Sequence, residues 1–261
     1  MTKGKNIFSR ILHAKPEDII RRIRAFISFD KPSNLALSSF GEFDIAYRKN
    51  TVDELIFRDS FNNDIFFSGV PEYKPKSGDV IIEIGAHIGT FSVLASSKIG
   101  NGKIFAIEAS ADTFNFLKIN RALNHCENIS IHHLAISDRN GKCTLYHYKG
   151  NWGHSLVKKL SGQSEEVKCS TLSDFFRNNQ ISRCNFMKFN CEGSEFPIIL
   201  STPGEMLQRI EIILVLYHCD LWNKNTESDL VLYLNTHGFE CEIRNKSKKR
   251  GWIIATQKFE K

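Results

Sequence analysis

The sequence predicts an α/β fold built on a doubly wound, mostly parallel sheet. From residue 78 onward, apolar runs of strand length alternate with stretches of helical periodicity. A glycine turn, Gly85-Ala86-His87-Ile88-Gly89, joins the first run to the first helix, as a sharp strand-to-helix reversal requires. Hydrophobic residues make up 41% and charged residues 25% of the 261, which suits a folded chain and excludes disorder.

The elements follow in order. Pro16, Glu17 and Asp18 start a helix that carries Ile19, Ile20, Ile23, Phe26 and Ile27 at helical spacing. Short β-like runs come next, at Phe43–Tyr47 and Leu55–Phe57. Residues 1–59 read as a helical and β appendage too small to fold alone, and residues 60–261 as the main domain. There, strands are expected at Asp79–Ile84, Lys103–Glu108, Ile129–Leu134, Asn185–Asn190 and Glu211–Tyr217. Helices are expected at Thr90–Lys98, from Ser110 to about Asn124, and after Thr226-Glu227-Ser228-Asp229. Phe239–Arg244 and Trp252–Thr256 form a terminal hairpin around a basic turn. Residues 142–170 interrupt the alternation with two strands about a Gly-containing loop. An insertion at the ligand edge of such a sheet is a candidate substrate lid.

No apolar run reaches the roughly 18 residues of a membrane span. The start lacks the apolar block of a signal peptide, and a cytoplasmic setting is expected. The seven cysteines contain no C-x-x-C pair, so neither a zinc site nor a disulfide framework is expected. The histidines show no ligand spacing for a metal either. Charge is uneven: in residues 1–24 seven basic side chains outweigh Glu17 and Asp18 by five. Two readings of residues 1–30 stand open, a solvated helix face, or an amphipathic helix docked on a partner or on the inner face of an anionic membrane.

Two carboxylates carry the chemistry. Glu83 is an acid inside an apolar strand, where burial is costly without a donor. Glu108 closes the second strand 23 residues after Gly85, where a carboxylate can accept both ribose hydroxyls of a nucleoside. G-A-H-I-G is not the G-x-G-x-x-G of a nicotinamide site. The two acids point instead to an S-adenosylmethionine (SAM) site, with Glu83 orienting the methionine end and Gly85, Ala86, His87, Gly89, Thr90, Phe91 and Ala109 around the cofactor.

The segments E-I-G-A-H-I-G-T-F-S (83–92), A-I-E-A (106–109), L-A-I-S-D (134–138) and K-F-N-C-E-G-S-E (188–195), in this order, resemble the FkbM family of methyltransferases. The resemblance implies a class I, Rossmann-like methyltransferase sheet of order 3-2-1-4-5-7-6 with strand 7 antiparallel. It implies SAM-dependent O-methylation of a hydroxyl, on a sugar or polysaccharide or on a secondary metabolite. It further implies that Ala135 and Ile136 border the adenine, and that Glu192 and Glu195 line the substrate side. Asn190 stands where the family has Asp; an amide can hydrogen-bond but cannot serve as a base.

His218 ends the fifth strand near the cofactor edge and titrates in the useful range, which makes it the first choice for general base, with Glu192 second. Trp152 and His154 lie on the lid and offer a sugar-stacking surface. A non-catalytic SAM-fold binding subunit and an RNA methyltransferase are the alternatives. Against the latter, Asn190-Cys191-Glu192-Gly193 stands where amino-methylating enzymes carry Asn/Asp-Pro-Pro-Tyr, so no nucleic-acid partner is expected.

Overall fold

A computed structural model describes residues 34–62, 64–148, 153–159 and 161–258. The helix expected after Pro16, the basic segment 1–30 and Trp152 lie outside the described residues. Two short strands, β1 (Leu35–Phe40) and β2 (Phe43–Arg48), pair as an antiparallel hairpin, and helices α1 (Asp53–Asn62) and α2 (Ile65–Ser68) follow.

The alternating part runs β3 (Val80–Ile84), α3 (Thr90–Lys98), β4 (Lys103–Glu108), α4 (Ala111–Leu123) and β5 (Ile129–His133). After the lid come α5 (Leu172–Asn178), β9 (Cys184–Phe189), α6 (Glu195–Ser201), α7 (Gly204–Leu207), β10 (Ile210–His218) and α8 (Glu227–Thr236). The strands β11 (Phe239–Arg244) and β12 (Arg250–Gln257) finish the sheet. Its order is β5-β4-β3-β9-β10-β12-β11, with β12 antiparallel to both neighbours and the other pairings parallel. This is the class I methyltransferase sheet with its terminal hairpin.

Each strand splits its side chains between two apolar layers, because successive residues point to opposite faces. Ile81 and Phe186 join α3, α4 and the N-terminal hairpin, while Ile82, Ile84, Met187 and Phe189 join α5, α6, α7 and α8. The lid strands β7 (Gly141–Tyr146) and β8 (Ser164–Ser170) join β6 (Ala135–Ile136), which precedes the lid, in a separate sheet of order β6-β8-β7. Ala135, Cys143, Leu145, Val167 and Cys169 are its small core.

The N-terminal region departs from the sequence expectation. Leu55–Phe57 is helix, not strand: a three-residue apolar run fits either period, and Asp53 and Glu54 in the first turn favour the helix. The boundary expected after residue 59 falls inside α1. Ile45, Ala46 and Phe57 belong to the same core cluster as Phe91 and Phe116, so the hairpin and α1 pack on the core beside α3 and α4. Asn120 of α4 fixes this contact. Its side chain accepts from the Ala46 N–H at 2.6 Å and donates to the carbonyls of Ala46 and Ile88 at 2.9 and 2.7 Å.

Candidate active site

The C-terminal ends of β3, β4 and β9 open into a cavity of about 230 Å³. Of the residues assigned to cofactor from sequence, Glu83, Gly85, Ala86, His87, Thr90, Phe91, Glu108, Ala109, Ala135 and Ile136 line it. Gly89 does not; it takes φ +87°, and a Cβ there would meet Leu117 Cδ1 at 2.5 Å. Gly85 is more constrained still. Its φ is +82°, and a Cβ would stand 2.0 Å from the carbonyl oxygen of Asn190. The glycine therefore lets the ends of β3 and β9 approach closely at the cavity edge.

Glu108 is buried, and backbone holds it from both sides. One carboxylate oxygen accepts from the His87 N–H and the other from the Ser110 N–H, each at 2.8 Å. Burial outweighs these bonds and raises its pKa above the usual carboxylate value. Each oxygen keeps a lone pair for a further donor, as a vicinal diol would supply.

Glu83 meets its donors inside the sheet. Lys188, its register partner on β9, places Nζ 2.9 Å from one carboxylate oxygen, and Ser92 Oγ donates to the other at 2.5 Å. The ammonium also lies over the rings of Phe66 and Phe91, 4.7 and 5.4 Å from their centroids. Lys188 was not singled out from sequence, although a lysine inside the apolar run Cys184–Phe189 was the available signal. The N-terminal elements add a wall that sequence reading also missed, with Ile56, Ser60, Ile65 and Phe66 on the cavity. Behind it, Arg48 grips Asp53 through Nε at 2.9 Å and Nη2 at 3.1 Å, both residues buried. His87 Nε2 lies 3.3 Å from Arg48 Nη2 and from Asp53 Oδ1, which ties the glycine turn to β2 and α1.

A second group of charges sits on the lid side. Asn190, Cys191, Glu192 and Ser194 line the cavity at the end of β9. Glu192 adopts φ +50°. Burial raises its pKa, and His218 partly offsets the effect. His218 Nε2 is 3.6 Å from Glu192, and His218 Nδ1 is 2.9 Å from Glu195. Burial alone would lower the imidazole pKa; the carboxylates of Glu195 and then Glu192 reverse this and raise it. Glu195 is fully buried and does not line the cavity, contrary to its expected substrate role. It accepts from the Gly193 N–H at 3.0 Å and is spent on positioning His218. His218 also stands behind Glu192 rather than on the cavity wall.

From the lid, Leu145, Gly153, His154 and Leu156 complete the enclosure. Ser155 Oγ donates to the Glu192 carbonyl at 2.7 Å and pins the lid to this loop. Burial, and next the neighbouring His147, lower the pKa of His154 to about 4, so it is neutral at pH 7. Among the described residues, no group of three or more His, Cys, Asp and Glu is placed to hold a metal ion. Among the same residues, no helix is long and apolar enough to cross a membrane.

The cavity fits SAM. It combines a buried carboxylate for a ribose, the apolar residues Ala109, Ala135, Ile136 and Leu145 for a flat base, and the charged pair Glu83–Lys188 for an amino-acid end. Ser194 Oγ on the same wall is buried without a hydrogen-bond partner, a polar atom left for a ligand.

No curated protein matches the sequence. The chain is similar in fold to a precorrin-6y C5,15-methyltransferase from Geobacter metallireducens (16% identity, 73% of this chain and 87% of that chain, TM-score 0.44). It is also similar to a SAM-dependent methyltransferase from Aquifex aeolicus (13%, 73% and 88%, TM-score 0.42). A third likeness is to TYW2 of M. jannaschii in complex with AdoMet (10%, 88% and 87%, TM-score 0.42). The model of the methyltransferase FkbM domain matches residues 83–241, more than half of the chain. With the sheet order and the glycine turn already in place, this match shows that the chain belongs to the FkbM family of SAM-dependent methyltransferases.

Proposed function

We propose that this enzyme methylates a hydroxyl oxygen, on a sugar or polysaccharide or on a secondary metabolite. One observation supports the oxygen acceptor above others: Glu192 presents a half-buried carboxylate of raised pKa to the cavity, backed by His218 at 3.6 Å. A neutral hydroxyl must lose a proton as its oxygen is alkylated, and a desolvated base beside it meets that need.

When bound, SAM supplies an electrophilic methyl group on a sulfonium. The protein's part is to position and to move a proton. Glu108 holds the ribose hydroxyls, and Glu83 and Lys188 receive the charged amino-acid end. Asn190, which cannot act as a base, offers its amide to orient the acceptor. Glu192 takes the hydroxyl proton. His218, held by Glu195, stabilises the Glu192 carboxylate and can pass the proton onward. His154, neutral at pH 7, and the lid close over the acceptor and exclude water. Holding both reactants at contact distance contributes most of the remaining acceleration.

A SAM-dependent screen over glycans, nucleotide sugars and hydroxylated metabolites tests this reading, with the product bond assigned by NMR. An O-methyl product supports it. An N- or C-methyl product, or SAM binding without turnover on any acceptor class, contradicts it. The basic segment 1–30 is proposed to dock the enzyme on an anionic membrane surface. Equal flotation with neutral and anionic vesicles would contradict that.

A further inference from the structure

We propose that Cys143 and Cys169 form an oxidation site, at which a peroxide-class oxidant converts the two thiols into a disulfide that staples the lid. The sequence offers no disulfide framework, but the fold brings these two sulfurs together. Cys143 lies on β7 and Cys169 on β8, neighbouring antiparallel strands in which Cys169 pairs with Gly141 and Cys143 with Val167. Across this diagonal the two Sγ atoms are 2.7 Å apart, well inside the ordinary contact distance of unbonded sulfurs. A disulfide of about 2.05 Å needs the sulfurs to close by only about 0.6–0.7 Å. Other cysteines make different contacts: Cys184 Sγ faces the Phe186 carbonyl, Cys191 Sγ faces Glu195 and Cys219 Sγ faces Glu227.

Access and order of reaction follow from the surroundings. Cys143 lines a second cavity of about 220 Å³, together with Ser137, Leu156, Ser194 and Trp222. A small oxidant can therefore reach Cys143. Cys169 does not line this cavity, and burial, then its bond to Cys143, push its thiol up to about 12. Cys143 is the sulfur that meets the oxidant, and Cys169 resolves the product. With hydrogen peroxide, the Cys143 sulfur attacks one oxygen, the O–O bond breaks, and a sulfenic acid and one water form. The Cys169 sulfur then attacks the sulfenic sulfur, its proton leaves with the hydroxyl as a second water, and the S–S bond forms. Two thiols are oxidised and one peroxide is reduced to two waters.

The position of the pair gives the bond its consequence. The chain from 143 to 169 contains Leu145, Gly153, His154 and Leu156, which line the cofactor cavity. Cys169 also pairs with Ala135 of β6, whose neighbour Ile136 lies on the same cavity. The bond thus closes the lid into a ring anchored at the adenine side. Because the sulfurs already touch, the folded structure changes little, and the effect falls on the unfolded chain and on lid opening.

The test treats the folded wild-type enzyme with stoichiometric hydrogen peroxide, then denatures it, alkylates free thiols and digests it with trypsin. Peptides 143–149 and 169–177 are expected as one linked species, released by dithiothreitol, with the other five cysteines alkylated. Oxidation should raise Tm by about 5–10 °C in the wild type and leave Cys143→Ser unchanged. Full alkylation of both cysteines after peroxide would overturn the proposal. So would Cys143 ending as a sulfinic acid with Cys169 free, or linkage of either to another cysteine. The peptide readout needs no variant, so it stands even if Cys143→Ser folds poorly.

Discussion

Glu83 and Lys188 are register partners on the two central parallel strands, and they close an ion pair of 2.9 Å with both side chains nearly inaccessible to water. The pair explains how an acid is tolerated inside an apolar strand. It also joins the strand before the glycine turn to the strand before the loop that carries Asn190 and Glu192. Removing one partner leaves a buried charge uncompensated. Lys188→Met is expected to destabilise the fold by about 3–5 kcal/mol in chemical denaturation. The double variant Glu83→Gln/Lys188→Met should recover part of that loss. Equal stability of Lys188→Met and wild type would show that the pair is not buried as described.

Asp53 of α1 ties the N-terminal hairpin to the glycine turn. It accepts both a backbone and a bidentate guanidinium contact from Arg48 and reaches His87. Asp53→Ala should cost about 3–5 kcal/mol by the same reasoning. It should also weaken SAM binding by loosening the glycine turn, as calorimetry would register. A separable appendage would produce neither effect.

Gly85 and Gly162 provide a matched contrast. Gly85→Ala places a Cβ against the Asn190 carbonyl at positive φ, whereas a Cβ at Gly162 meets nothing within 4 Å. Gly85→Ala is expected to abolish SAM binding or folding, while Gly162→Ala leaves the melting temperature within about 2 °C. Similar behaviour of the two would contradict the close approach of β3 and β9.

His218 should leave a pH signature on stability. Its pKa is raised in the folded state, chiefly because Glu195 and Glu192 overcome the effect of burial. The stabilisation from the charged imidazole is then fully present below about pH 6.5, the unfolded value, and is lost as pH rises through the folded pKa. The unfolding free-energy gap between wild type and His218→Gln should therefore shrink above pH 6.5. A gap that stays constant with pH would mean that no extra proton is held there.

Glu192 and His218 separate in kinetics once an acceptor is in hand. Glu192→Gln should lower kcat by about 10²–10⁴-fold with SAM affinity nearly intact. The wild-type rate should rise with pH as Glu192 ionises above the usual carboxylate range, because burial raises its pKa. His218→Gln should move that profile upward, since it removes a group that favours the ionised carboxylate. If Glu192→Gln keeps full activity and His218→Gln abolishes it, the imidazole is the base.

The sheet was legible because its signals are local. Each strand is an apolar run, each helix carries its own start and stop, and the glycine turn has a spacing of its own. The place of Glu108 at a strand end was legible for the same reason, and the fold puts that strand end on the cavity. Lys188 and the Arg48–Asp53 pair were not, because their meaning depends on partners 105 and 5 residues away that only packing brings together. The resemblance alone gave Glu195 a place on the substrate side beside Glu192; α6 turns it inward toward His218, a contact that no local pattern signals. The three residues Leu55–Phe57 were too few to distinguish a period of 2 from one of 3.6.

The claim on which the rest depends is that this cavity holds SAM through Glu108, and calorimetric titration of wild type and Glu108→Ala tests it without knowledge of the acceptor. Loss of hydrogen bonds to a charged acceptor is worth about 1.5–3 kcal/mol, so SAM affinity should fall roughly 10- to 150-fold while circular dichroism shows the fold retained. A folded Glu108→Ala that binds SAM as tightly as the wild type would contradict the site.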